Sequence, residues 1–167
     1  NTIVGNTVYD NNNNDARPID VALLAQGNGI LVAGSVENVV ERNLVFDHDR
    51  TGIAAVPFPE EDANDRAPAK DEWDTPCEET RDQEIPAEDA DPGLVLWHPF
   101  GNSFSGNVVE NSGVADLASA TLEGDGITVE GLGNCFSDNT FTSSAPADIE
   151  ALSPCEGDGN GGDWSKG

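Results

Sequence analysis

A short phrase recurs four times along this 167-residue chain: Asn, any residue, an apolar residue, two more residues, then Asn, any residue, an apolar residue. It runs from Asn1 to Val8, from Asn38 to Val45, from Asn102 to Val109 and from Asn134 to Phe141. Fixed spacing inside the phrase and variable gaps between its copies are the signature of stacked coils, in which each copy is one turn resting on the last.

Strand side chains alternate with period two, so asparagines five residues apart cannot share one face of one straight strand. The two must flank a bend, with short strands on either side: Thr2-Ile3-Val4 and Thr7-Val8-Tyr9, or Ser103-Phe104-Ser105 and Val108-Val109-Glu110. Asparagine tolerates a positive φ and caps its own backbone, which suits a tight bend. If the coils stack, asparagines at one bend lie above each other and their amides bond along the stack. The predicted ladder is Asn6, Asn43, Asn107 and Asn139. The apolar residue two positions after each asparagine then points inward and builds a narrow core of Ile, Val, Leu and Phe.

Gly-Ile pairs mark further strand starts at Gly29-Ile30, Gly52-Ile53 and Gly126-Ile127. The first two isoleucines are separated by one coil of about 20–30 residues, the size of a three-strand turn in a parallel β-helix. The competing architecture is an all-β sandwich with Asn-rich hairpins. Only Asn28-Gly29 has the composition of a two-residue hairpin loop, and the Asn-x-apolar phrase has no hairpin logic. The expected fold is therefore all-β, a right-handed parallel β-helix with a short stack of coils, one long acidic loop insertion and a C-terminal cap.

The Asn-x-apolar phrases, the Gly-Ile starts and the closing stretch from Gly133-Asn134-Cys135-Phe136 to Ala145-Pro146-Ala147-Asp148 resemble secreted right-handed parallel β-helix repeat proteins of actinobacterial type, in the pectate-lyase-like superfamily. The resemblance spans most of the chain outside residues 57–93 and the tail. It implies a fold firmly. It implies function only as a class, since the superfamily holds carbohydrate lyases, hydrolases and epimerases and the accessory proteins that process copper for nitrous oxide reductase.

One domain is expected over residues 1–155, with the insertion at 57–93 and a flexible Gly/Asp-rich tail at 156–167. Fourteen acids and three bases lie between Glu60 and Asp91, on a stretch with many prolines and almost no apolar periodicity. Insertions in repeat proteins loop out from a corner in this way. Residues 19–25 read as a helical turn or a strand, and residues 145–155 as a cap of one or two helical turns. The chain opens inside a repeat, at Asn1, so its first coil is expected to be covered by other coils, another chain or a partner.

The net charge of −25 repels nucleic-acid phosphates and anionic membrane surfaces, and excludes nucleic acid as a partner. No stretch approaches the roughly 20 apolar residues of a membrane span. Of three cysteines, Cys135 and Cys155 are placed to staple the C-terminal segment onto the last coil, the alternative being buried free thiols; Cys77 lies in the insertion without an evident partner. A disulfide fits an extracellular, cell-surface or periplasmic location.

Candidate chemistry is sparse. Asp47-His48-Asp49-Arg50 is the densest ionisable run at a strand end and the one set suited to acid–base work on a sugar ring. Strand alternation would send Asp47 and Asp49 to one side and His48 and Arg50 to the other; the plain alternative is a polar turn. Trp97, with His98 beside it, and Trp73 are candidate sugar platforms, against the alternative that Trp97 packs the base of the insertion. Calcium is the one cofactor the acids suggest, through Asp89 and Asp91 in the insertion or Asp158 and Asp163 in the tail, although the tail loop lacks the final Glu of an EF-hand. Two histidines do not make a copper or zinc site. The expected function is a secreted or cell-surface module that binds or processes carbohydrate, with polysaccharide lyase, hydrolase or epimerase activity as its enzymatic form. The alternative is a structural element, without catalysis, that stacks end to end with other coils or chains.

Overall fold

The computed structural model describes residues 1–13, 15, 22–60, 95–122 and 126–165. Its strands are β1 (Thr2–Val4), β2 (Thr7–Tyr9), β3 (Ile30–Ala33), β4 (Val39–Glu41), β5 (Leu44–His48), β6 (Thr51–Val56), β7 (Phe58–Glu60), β8 (Val95–Trp97), β9 (Ser103–Ser105), β10 (Val108–Ser112), β11 (Ala115–Ser119), β12 (Cys135–Ser137) and β13 (Ser144–Ala145). Two one-turn helices accompany them, α1 (Ala22–Ala25) and α2 (Ile149–Leu152). The chain divides into two units, Asn1–Pro57 with His98–Gly167, and Phe58–Trp97. In the second, β7 and β8 pair antiparallel, with Phe58 opposite Trp97. Trp73, Cys77, Asp89 and Asp91 lie outside the described residues.

The first unit is all-β and its three sheets are parallel throughout. Strand order is β1-β4-β9-β12 in the first, β2-β5-β10 in the second and β3-β6-β11-β13 in the third. The chain visits the three sheets in the same order on every pass, so four coils lie in register, the last reaching the second sheet through a single bridge from Thr140 to Val108. Every named strand expected from the Asn phrase forms where it was expected. The residues 19–25 segment resolves in part as helix, at α1.

The asparagines explain why the register is so regular. In the ladder Asn6, Asn43, Asn107, Asn139, each side-chain oxygen accepts both the backbone N–H and the side-chain N–H of the asparagine one coil earlier, at 2.9–3.0 Å. The second amide hydrogen goes to a carbonyl, from Asn43 to Ile3 at 3.0 Å, from Asn107 to Val40 at 2.9 Å and from Asn139 to Phe104 at 2.9 Å. Asn43 and Asn107 are 2% and 0% exposed, and all their amide valences are filled. A second ladder, Asn1, Asn38, Asn102 and Asn134, runs at the other end of the first sheet at 2.8–3.1 Å: the side-chain amide of Asn1 and both the backbone and side-chain N–H of Asn38 and Asn102 donate to the asparagine oxygen of the next coil. The ladder partners are 37, 64 and 32 residues apart in sequence. The ladders thus keep one register across unequal lengths of intervening chain.

The sharp turn does not fall on the asparagine, as expected from its tolerance of positive φ, but one residue earlier. Gly5, Arg42, Gly106 and Asp138 precede one ladder, and Glu37, Gly101 and Gly133 precede three members of the other, all with φ between 54° and 67°. The ladder side chain has to run along the stack, which needs an extended backbone, so the left-handed residue precedes it.

Two positions after each asparagine the side chain enters the core, as the pattern predicts. Ile3, Val40, Phe104 and Phe136 form one column, and the rings of Phe104 and Phe136 stack with centroids 4.8 Å apart. Val8, Val45 and Val109 form a second, and Ile30, Ile53 and Leu117 a third. The Gly-Ile starts work through close approach. A Cβ on Gly29 would meet the Gly52 carbonyl and lie 2.5 Å from Val45 Cγ1, and one on Gly52 would collide with Val109 Cγ1. The third pair, Gly126-Ile127, starts no strand; Asp116-Leu117 takes that register instead.

The C-terminal cap closes the last coil. Glu150 on α2 presents Oε1 to both N–H groups of Asn139 at 2.8 Å, standing in for the next asparagine. The Phe136 amide donates to the Ser153 carbonyl at 2.8 Å, and a Cys135–Cys155 disulfide ties the same two segments together. Closing that 20-residue span removes about 3 kcal/mol of unfolded-chain entropy.

Replacing Asn107 by Ala leaves the buried Asn43 backbone N–H and one of its side-chain N–H groups without their acceptor, and takes one donor each from the Val40 carbonyl and the Asn139 oxygen. We expect a loss of about 3 kcal/mol or more in urea unfolding, from several unsatisfied groups at 1–3 kcal/mol each. Asn6→Ala, at an exposed ladder end, should cost about 1 kcal/mol. Equal losses at the two positions would contradict a ladder whose strength comes from burial. Glu150→Gln should keep most of the stability that Glu150→Ala loses.

Candidate functional site

The outer face of the third sheet carries an open groove. Parallel register aligns Leu31, Ala54, Ala118 and Ala145 across four coils. Inward neighbours Ile30, Ile53 and Leu117 fill the core, so alternation turns the small residues outward. Ala54 and Ala118 are nevertheless buried in a cluster with Ala115, against which Leu31, Val56 and Ala145 pack, and Leu24 of α1, Val129, Pro146 and Trp164 border the same groove. The space between is about 460 Å³, with Arg50, Thr51, Ser119 and Thr121 adding polar groups to its lining. Among the described lining residues there is no carboxylate, and Arg50 is the one base.

Trp164 was not among the residues that the sequence marked as sugar platforms. Its Gly- and Asp-rich tail has no periodicity to place it. The tail nonetheless folds back on α2: the Asn160 amide donates to the Ala151 carbonyl at 2.9 Å, and a Cβ on Gly162 would lie 2.8 Å from Leu152 Cδ2. Trp97 ends β8 in the hairpin unit, and His98 lies in the coil unit with its ring centroid 5.5 Å from that of Phe100.

The Asp47-His48-Asp49-Arg50 run is split by the fold. Asp47 takes φ 60° at the end of β5, and its side chain accepts from the Asn111 amide on the neighbouring coil. Asn12 donates to the Asp47 carbonyl at 2.9 Å, and its side-chain oxygen accepts the Asp49 amide at 2.8 Å. Asp47, His48 and Asp49 border a polar cleft of about 400 Å³ with Asn12, Asn111 and Ser112. Arg50 belongs to the apolar groove instead. His48 is 2% exposed, and its Nδ1 faces the Asn11 amide at 3.4 Å. A Cβ on Gly29 would lie 2.7 Å from its Nε2, so the ring is directed into the coil, in register with Ser112. Asp47 and Asp49 are exposed and the His48 ring is buried, whereas Arg50, expected on the side of His48, is exposed and lines the other groove.

Burial holds the His48 imidazole below its usual 6.5, against the upward pull of the Val8 carbonyl, Asp47 and Asp10. Its neutral form belongs to the fold. A second buried titratable group, Asp116, escaped the sequence reading because it stands alone between apolar residues. It is fully buried at the position taken by Gly52 one coil earlier. Its Oδ2 accepts the Thr142 amide at 2.9 Å, the Thr142 hydroxyl at 2.8 Å and the Ser143 amide at 3.2 Å, and its Oδ1 accepts the Ser112 amide at 3.1 Å. Burial opposes its ionisation, but the Thr142 and Ser112 donors outweigh burial and hold the carboxyl below its ordinary 3.8. Asp116 is a structural anion that fastens the third and fourth coils.

Among the described residues no three His, Cys, Asp or Glu side chains converge as a metal site. Asp163 accepts the amide and hydroxyl of Ser165 at 3.0 and 2.6 Å, closing a local turn, and Asp158 is exposed. No helix among the described residues is long and apolar enough to cross a membrane. No family model, curated protein or solved structure matches the chain.

Both buried groups bind protons less readily in the folded chain than in the unfolded one, so both make stability rise with pH and fall as the solution is acidified. The His48 contribution is complete above 6.5 and is lost as pH drops through its lower folded value; that of Asp116 is lost only below its ordinary 3.8. Urea midpoints should therefore decrease between pH 7.5 and pH 5, and His48→Gln should flatten that limb. Asp116→Asn should instead cost about 2 kcal/mol at every pH above 5, from lost charge-assisted bonds. A His48→Gln profile parallel to that of the parent would disprove the neutral buried imidazole.

Proposed function

We propose that this chain is a right-handed parallel β-helix module, of pectate-lyase-like architecture, that binds a neutral oligosaccharide along the outer face of its third sheet. The single observation behind this reading is the composition of the groove. In a chain of net charge −25, the described lining residues include no acid, one arginine, a tryptophan and a row of three alanines, Ala54, Ala118 and Ala145, on successive coils beside Leu31. Small side chains leave room for an extended chain to lie across the strands. Trp164 supplies a face for the C–H side of a sugar ring, and the polar groups of Arg50, Thr51 and Thr121 meet hydroxyls.

The architecture is supported by the three parallel sheets visited in fixed order, and the right hand by the strong bias of parallel crossovers. The disulfide between Cys135 and Cys155 favours an extracellular, cell-surface or periplasmic setting. Binding is preferred to cleavage because hydrolysis of a glycosidic bond needs two carboxylates flanking it, and the described groove residues supply none.

Isothermal titration with neutral hexasaccharides of glucose, xylose and mannose tests this reading. At least one should bind with micromolar to millimolar affinity, and Trp164→Ala should weaken it tenfold or more, the worth of one stacked ring at about 1.5 kcal/mol. Ala118→Phe, which fills the groove, should abolish binding. No heat from any of the three, or affinity indifferent to both substitutions, would refute it.

A further inference from the structure

The tail that carries Trp164 has four glycines between Gly157 and Gly162, and its path is fixed by specific contacts. It leaves Cys155, which the disulfide ties to Cys135 on the last coil. The Asn160 amide donates to the Ala151 carbonyl at 2.9 Å, and the Asn160 side-chain oxygen accepts the Gly162 amide at 2.9 Å. Around Trp164, the Asp163 carboxylate accepts the amide and hydroxyl of Ser165. Between these bonds the glycines permit contacts that a side chain would block. A Cβ on Gly159 would collide with the Leu152 carbonyl oxygen, and one on Gly162 would lie 2.8 Å from Leu152 Cδ2. Leu152 is 5% exposed, so the tail lies on a fixed surface. Glycine loses more conformational freedom on folding than any other residue. Here that cost is offset by the close approach to α2.

We propose that the tail is a docked arm and that Gly159 is its positioning residue, setting the Trp164 ring at the edge of the groove on the third sheet. Trp164 borders that groove with Ala118, Ala145 and Pro146, and among the described lining residues it is the one aromatic. The ring therefore goes where the arm goes, and the arm follows α2 only because residue 159 has no side chain. The part this plays in ligand binding rests on the oligosaccharide reading; the placement of the ring does not. A ligand stacked on Trp164 holds the arm down, and an undocked arm takes the ring away. By linkage the two effects are reciprocal.

The test follows Trp164 in the full chain with Trp73→Phe and Trp97→Phe, which leaves it the one indole. Gly159→Ala should raise acrylamide quenching of Trp164 at least twofold and speed hydrogen exchange of the Asn160 amide at least tenfold. The urea midpoint should stay that of the parent, because Glu150 and the disulfide still hold the cap. Asn160→Ala, which removes the acceptor of the Gly162 amide, should act in the same direction, and decides by the same readouts if Gly159→Ala lowers the midpoint. Asp158→Ala, exposed on the same arm, should change neither readout. Unaltered quenching and exchange in Gly159→Ala and Asn160→Ala, or an equal change in Asp158→Ala, would overturn the proposal. Titration with the hexasaccharides separates it from the reading on which its binding role rests. A hexasaccharide that binds the parent should slow exchange at Asn160 and bind Gly159→Ala at least tenfold more weakly. Undiminished binding by Gly159→Ala would overturn the positioning role and leave the oligosaccharide reading standing. No binding to the parent would refute that reading, and quenching and exchange would then judge the arm alone.

Discussion

The structure depends on a side-chain amide that bonds along the stack as a backbone amide does. A three-residue strand makes few ladder hydrogen bonds and buries one or two side chains, too little to hold register alone. Each asparagine adds two acceptor contacts and two donor contacts at the bend, where a strand would otherwise end with unpaired groups. The bend is thereby as well satisfied as the strand. Buried at 0–3% exposure, Asn38, Asn43, Asn102, Asn107 and Asn134 would be a liability singly and are stabilising as ladders, since every amide has its partner one coil away.

That arrangement also explains what varies. Because the ladders fix the bends, coils separated by very unequal lengths of chain keep one register. The 64-residue gap between the second and third coils and the 23-residue gap from Asn28 to Thr51 coexist in one stack. The chain's acidity is spent in the same way. Much of it lies in the insertion, and among the described residues the one carboxylate taken fully inside, Asp116, is held by four donors. Among the described residues that line the groove on the third sheet's outer face there is no acid.

Much of the fold was legible because its signals are local. Asn43 and Val45 are two residues apart, and their roles in ladder and core follow from strand alternation alone. The inward column of Ile3, Val40, Phe104 and Phe136 could be written down from spacing. The left-handed turn was assigned to the wrong residue because asparagine and its predecessor are both good candidates, and only the direction of the ladder separates them. Gly126-Ile127 misled for the opposite reason: a two-residue motif was trusted where no flanking Asn phrase fixed its phase. Cys135 and Cys155 paired as their positions beside the last coil suggested.

The site was far less legible. Asp47, His48 and Asp49 border one cleft, but the His48 ring is turned into the coil and Arg50 lines the other groove, so adjacency in sequence did not bring the four side chains to one place. The groove is made of residues from α1, four coils and the tail, with Ala54, Ala118 and Trp164 contributed from far apart, and nothing in one stretch announces it. What the sequence determined by itself was the coil: strand positions, inward residues and the asparagines that bind one turn to the next, all set by spacing within eight residues. Tertiary structure alone decided which turn ends were capped, which outward residues converged and where Trp164 came to rest, because those depend on how insertions of different length return the chain to the stack.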